Sequence, residues 1–147
     1  MPLQPLRIID ANLNRSSEGL RFLEDVARFI LNDAKLSHQL RAVRHDLTDA
    51  AKSLSVKLLS QRNSEHDVGA NKENPSYESE MKHSQQDLPN AVIANAKRVE
   101  ESLRVIEELA KLPELHPLLD SAKADSTRFT IYTLEQRLLS KILRQDK

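Results

Sequence analysis

An internal repeat constrains this chain more than any other feature. Ala11–Ala27 aligns without gaps to Ala94–Ala110, an offset of 83 residues (11 to 94). Eight of the seventeen positions are identical, and both copies read A-N-x-x-R-x-x-E-x-L-R-x-x-E-x-x-A. Shared helix propensity accounts for Leu and Ala recurring, but not for five polar residues matching in register. Duplication is the better account. The segments that follow match more weakly, Arg41–Leu47 against Arg128–Leu134, with His45 opposite Tyr132. The repeating unit is therefore expected to be a helical hairpin, with two hairpins packed about a pseudo-two-fold axis.

The rest of the chain agrees with an all-α fold, an antiparallel bundle of about four long helices. Sheets need turns and turns favour glycine, yet Gly19 and Gly69 are the only glycines. The expected helices are about Leu6–Leu31, with Pro5 in a first turn where its missing N–H costs nothing, and about Leu36–Leu59. Two more follow, from about Pro89 behind an Asp87 cap to the residues before Pro113, and about Leu118–Leu143. Residues 1–147 read as one domain, with repeat units of about 5–59 and 88–145. The intervening stretch, 60–87, has Val68, Tyr77 and Met81 as its large apolar side chains after Ser60. A loop of that length is expected to be functional or disordered, and mobile over about Arg62–Gln85.

Composition narrows the function classes. Lys+Arg and Asp+Glu are both 22, so no net field draws nucleic acid or a membrane surface. Cysteine is absent, which removes disulfides, thiolate metal sites and Cys nucleophiles. No apolar run approaches the roughly 18 residues of a membrane span, and Met1–Gln4 lacks the order of a signal peptide. A cytoplasmic location is the expectation. There is no Gly-rich phosphate loop, no H-E-x-x-H and no G-x-S-x-G.

At about 100° per residue, Ile9, Leu13, Ser16, Leu20, Leu23 and Ala27 form one apolar stripe, repeated by Val92, Ala96, Val99, Leu103, Ile106 and Ala110. The repeated polar residues fall every third position and drift around the helix: Asn12, Arg15, Glu18, Arg21, Glu24 and Asn95, Arg98, Glu101, Arg104, Glu107. Two readings stay open. Arg15/Glu18 and Arg21/Glu24 have i,i+3 spacing, and such charges usually form a solvated face. Against that, both copies keep Arg rather than Lys and Glu rather than Asp, which points to bidentate contacts or buried pairing. On the second reading, Arg15, Arg21, Arg98 and Arg104 would form a phosphate site where the copies converge. His45, between Arg44 and Asp46, is either surface or core filler or a phosphate ligand, and Asp67 before Val68-Gly69 is either a turn or a Mg²⁺ carboxylate. Phe22, Val26, Val105 and Leu109 widen the apolar surface beyond one stripe and predict a homodimer.

The segment Arg7–Phe29 resembles the start of the helical domain that precedes thiamine-phosphate synthase in cyanobacteria and other bacteria. Leu40–Leu47, Asp67–Gly69 and Ala94–Glu108 extend the likeness over nearly the whole chain. That domain has been proposed as an alternative hydroxymethylpyrimidine phosphate kinase. The resemblance implies a stand-alone version, acting in thiamine biosynthesis on a small phosphorylated pyrimidine with ATP and Mg²⁺. Arg21, Arg104 and Asp67 would then be catalytic. Asn12, Arg15, Asn95, Arg98, Arg44 and His45 would bind substrate, and Glu18, Glu24, Glu101 and Glu107 would hold the metal. The alternative is a non-catalytic helical dimerisation or partner module of thiamine-phosphate synthase.

Overall fold

The computed structural model describes residues 4–51, 87–117 and 119–145. Among them are four α-helices and no strand. Helix α1 spans Gln4–Asp25 and runs into a π-helical turn, Val26–Ile30, where the Leu31 N–H donates to the Val26 carbonyl at 3.0 Å. Asn32 then takes a positive φ of 52°, a left-handed conformation that Asn tolerates, and ends the helix. Asp33 follows, and its Oδ1 accepts from the Leu36 N–H at 2.9 Å, capping α2, Ala34–Ala51. Helix α3, Leu88–Ala110, begins as expected behind Asp87, whose Oδ1 accepts from the Asn90 N–H at 2.9 Å. Helix α4 spans Ser121–Gln145, three residues later than expected. Asp120 rather than a hydrophobic residue opens it, its Oδ1 accepting from the Ala122 and Lys123 N–H groups. The expected α2 end near Leu59 and the 60–87 loop lie outside the described residues, apart from the Asp87 cap.

Helices α1 and α3 form the centre, with α2 against α1 and α4 against α3. Two apolar clusters fix their relative direction. Leu6 and Ile9, at the start of α1, meet Leu115 and the half-buried Leu109 and Leu112 at the end of α3. Leu20, Leu23 and Ala27, at the far end, share a cluster with Val92, Ala96 and Leu103. The two helices therefore run antiparallel, as a two-fold axis across them requires. Leu20 and Leu103, equivalent in the repeat, are both fully buried in one cluster.

The two central helices approach closely at Gly19. A Cβ built there would lie 2.6 Å from Val99 Cγ2 and 3.0 Å from the Asn95 carbonyl oxygen, so only glycine lets the backbones approach this far. The equivalent position in the second copy is Ser102, a buried residue whose hydroxyl folds back onto the Arg98 carbonyl at 2.7 Å.

The residues that predicted a homodimer are mostly used within the chain. Val26 is buried, and Phe22 and Leu109 pack against the two clusters, leaving only Val105 exposed. No helix among the described residues is long and apolar enough to cross a membrane.

Candidate functional site

The repeated glutamates Glu24 and Glu107 are both buried, each only 8% exposed. A buried carboxylate needs a charged partner, and each finds an arginine on the flanking helix of its own hairpin. Arg44 Nε donates to Glu24 Oε2 at 3.1 Å, with Nη2 also at 3.1 Å. In the second hairpin Arg128 Nη2 lies 3.3 Å from Glu107 Oε2, out of hydrogen-bond alignment, while the same Nη2 donates to Asp125 at 2.7 Å. The Asp125 bond, opposed by desolvation and reinforced by the Glu107 charge, holds the Arg128 guanidinium above its ordinary pKa. These ion pairs equate Arg44 with Arg128, not Arg41 with Arg128. The second helices of the repeat thus align three residues away from the sequence-based register. Arg44 and Arg128 thus each tie a flanking helix to a central one, with Glu24 and Glu107 as their partners.

The repeated asparagines are also matched. Asn12 Nδ2 donates to the Ile8 carbonyl at 2.8 Å and Asn95 Nδ2 to the Ala91 carbonyl at 2.9 Å, each one turn back in its own helix. In each copy the side-chain amide thus bonds along its own helix.

The four arginines occupy two different azimuths on their helices. Arg15 precedes Glu24 by nine residues, about 180° round the helix, so it faces away from α2; Arg98 stands in the same relation to Glu107 and α4. Both lie on the side of the α1–α3 pair opposite the flanking helices, near the two-fold. Arg21 and Arg104 are only about 60° from Glu24 and Glu107 and lie beside the flanking helices. Arg15 reaches Asn12 Oδ1 at 3.5 Å, and Arg104 pairs with Glu108 at 3.2 Å, not with a repeated glutamate. The i,i+3 pairs Arg15/Glu18 and Arg21/Glu24 do not form. Glu18 and Glu101 are exposed, and among the described residues no group of three or more His, Asp or Glu side chains gathers that could hold a metal ion. His45 is exposed, its Nε2 accepting from Arg41 Nε at 3.4 Å. Asp67 lies outside the described residues.

Two features escaped the sequence reading. Glu100 on α3 has its carboxyl pushed up to about 8, first by desolvation and then by a hydrogen bond to, and repulsion from, the Glu135 carboxyl on α4. Its sequence neighbour Glu101 disguises it as part of an acidic helix surface. Asp33 not only caps α2 but pairs with Lys141 of α4 at 2.7 Å, and that contact, with the Leu36 N–H, holds its carboxyl below the ordinary range. A partner 108 residues away leaves no local signal.

A duplicated, all-α helical hairpin with buried Glu–Arg ties is the class this geometry defines. The ThiD2 family matches residues 7–137, and the chain belongs to that family. It is 37% identical over 134 residues to a thiamine-phosphate synthase of Rhodopirellula baltica, covering 90% of this chain and 34% of that one. A thiamine-phosphate synthase of Nostoc punctiforme is 37% identical over 133 residues, 90% of this chain and 35% of the relative. One from Synechocystis sp. is 34% identical over 148 residues, 98% of this chain and 39% of the relative. The chain thus spans little more than a third of the length of these curated relatives. No solved structure matches it.

Proposed function

We propose that the chain acts in thiamine biosynthesis as a helical partner module of thiamine-phosphate synthase. One observation carries this reading: chains named thiamine-phosphate synthase contain a counterpart of nearly all of this one, occupying about a third of their own length. The repeated charges support a scaffolding role. Glu24–Arg44 and Glu107–Arg128 tie the two helices within each hairpin, and Asn12 and Asn95 bond to their own helices. The test is to mix the purified chain with a thiamine-phosphate synthase that lacks such a segment. Co-elution, or a raised synthase rate, is expected; two independently eluting proteins with an unchanged rate would count against the reading.

The second reading is a phosphotransferase that converts hydroxymethylpyrimidine phosphate to the diphosphate with ATP and Mg²⁺. It is favoured by Arg15 and Arg98, two exposed guanidinium groups near the two-fold without a carboxylate partner among the described residues. Its test is ADP release from the purified chain with ATP and Mg²⁺. Release that depends on the pyrimidine phosphate supports transfer, whereas binding without turnover supports the module. A homodimer belongs to either reading and is settled by light scattering at micromolar concentration.

A further inference from the structure

Charge is distributed unevenly over a chain whose formal net charge is zero. On the side of α1 and α3 that carries Arg15 and Arg98, the exposed Glu18 and Glu101 match them one for one. An open cleft of about 690 Å³ between the start of α2 and the end of α4 is different. Lys35, Arg137, Lys141 and Arg144 line it, with Asp33 as the single acid. Asp33 is already engaged by Lys141 at 2.7 Å, and its second oxygen caps α2. Lys35, Arg137 and Arg144 have no carboxylate partner among the described residues, and the described lining carries a net charge of three.

The placement is regular. Arg137, Lys141 and Arg144 follow i, i+4, i+7 spacing and share one face of α4, spanning about 10 Å along the axis. Lys35 approaches from the opposite wall. Gln39 and Thr133 add uncharged donors, and the only large apolar side chain lining the cleft is Leu36. Such a wall repels cations and offers little to an apolar ligand. Two forked guanidinium groups set about two turns apart suit an elongated anion with several oxygens, since Arg binds phosphate bidentately.

We propose that this cleft is a binding site for a small polyphosphorylated molecule, held through its diphosphate group by Arg137, Arg144 and Lys35. Asp33 keeps Lys141 folded against the base of the cleft, which fixes the distance between α2 and α4 while the other cations remain open to the ligand. The site is separate from the Arg15–Arg98 face and from any docking on a synthase. Its failure would therefore leave the proposed function standing.

Isothermal titration of the purified chain with inorganic pyrophosphate in low-salt buffer tests it, beside inorganic phosphate, ADP and a poly-glutamate peptide. Saturable pyrophosphate binding, tighter than phosphate and weakened by added salt, is expected. The double variant Arg137→Gln/Arg144→Gln should bind at least tenfold more weakly, with unchanged helical circular dichroism because both side chains are exposed. Lys111→Gln/Lys123→Gln, two exposed cations outside the cleft, should bind as the parent does. ADP binding that is lost in the same double variant extends the ligand class to nucleotides, while pyrophosphate binding alone confines it to the free anion. The proposal is overturned if pyrophosphate does not bind, if the Arg137/Arg144 variant binds it unchanged, or if poly-glutamate binds through these residues and pyrophosphate does not.

Discussion

The two hairpins solve the same problem with different degrees of economy. In the first, one arginine serves one glutamate: Arg44 meets Glu24 through both Nε and Nη2, each at 3.1 Å. In the second, Arg128 is divided between Asp125 at 2.7 Å and Glu107 at 3.3 Å, and Glu107 Oε2 is left without an aligned donor. The copies also differ at the crossing, where the first supplies Gly19 and the second Ser102. A duplicated unit thus keeps the charged residues that tie its helices, while each copy drifts in how completely it satisfies them. The first hairpin depends on a single pair, whereas the second distributes its charge.

That contrast predicts unequal responses to the same substitution. Arg44→Ala takes from the buried Glu24 its ion-pair partner, and breaking a buried pair costs several kcal/mol. Because both side chains keep a little water contact, the expected loss is about 2–4 kcal/mol by urea unfolding. Arg128→Ala should cost less, since Asp125 is more exposed and takes up solvent readily. Equal losses in the two variants would show that the second pair is as strong as the first despite its geometry.

The crossing sharpens the comparison at smaller magnitude. Gly19→Ala would gain about 0.5–1 kcal/mol of helix propensity. It would also force Val99, a stiff β-branched residue, and the Asn95 backbone to move, and overpacking typically costs about 1–3 kcal/mol. A net destabilisation is expected. Ser102→Ala, at the equivalent position, removes only a hydroxyl bonded to its own helix, so stability should be nearly unchanged. Thermal melts of both variants decide this, and a stabilised Gly19→Ala protein would mean that the helices separate easily at their crossing.

The frame of this fold was legible because its signals are local. The three- and four-residue spacing marks the buried stripes, Asp87 marks the start of α3, and Asn32-Asp33 marks the end of the first helical run. The repeat placed α1 and α3 at the centre. What the sequence could not display were partners set by packing. Glu24 has the right spacing to pair with Arg21, yet pairs with Arg44, because burial against α2 makes a cross-helix arginine the nearer counter-charge. Arg kept over Lys in both copies was read either as a phosphate site at Arg15, Arg21, Arg98 and Arg104 or as buried pairing. The buried contacts are made by arginines outside the seventeen-residue motif, Arg44 and Arg128. The basic cleft was equally hidden, since its cations come from both ends of the chain and only the Arg137, Lys141, Arg144 spacing hinted at a shared face.

The smallest expected effect concerns a carboxyl that has no counterpart in the first copy, where Ser17 replaces Glu100. Burial and the Glu135 carboxyl raise Glu100 from an ordinary 4.5 to about 8. Below pH 4.5 the group is protonated in both folded and unfolded chains and contributes nothing to pH dependence. Between 4.5 and 8 the unfolded chain releases the proton and the folded chain retains it, so stability falls as pH rises through that window. Above about 8 the full penalty is present. The carboxyl is partly wetted, and solvent screening reduces the effect to about 1 kcal/mol. Glu100→Gln keeps a donor for Glu135 and carries no charge to desolvate. It should therefore melt close to the parent at pH 4.5 and roughly 2–4 °C above it at pH 8.5. A difference between the two proteins that does not grow with pH would place the shared proton elsewhere. Ser17→Glu would complete the comparison, giving the first copy a carboxylate where α1 packs near α2. It should lower the melting temperature without producing the same pH profile, because position 135 of the second hairpin has Ala51 as its counterpart in the first, in the register set by Arg44 and Arg128.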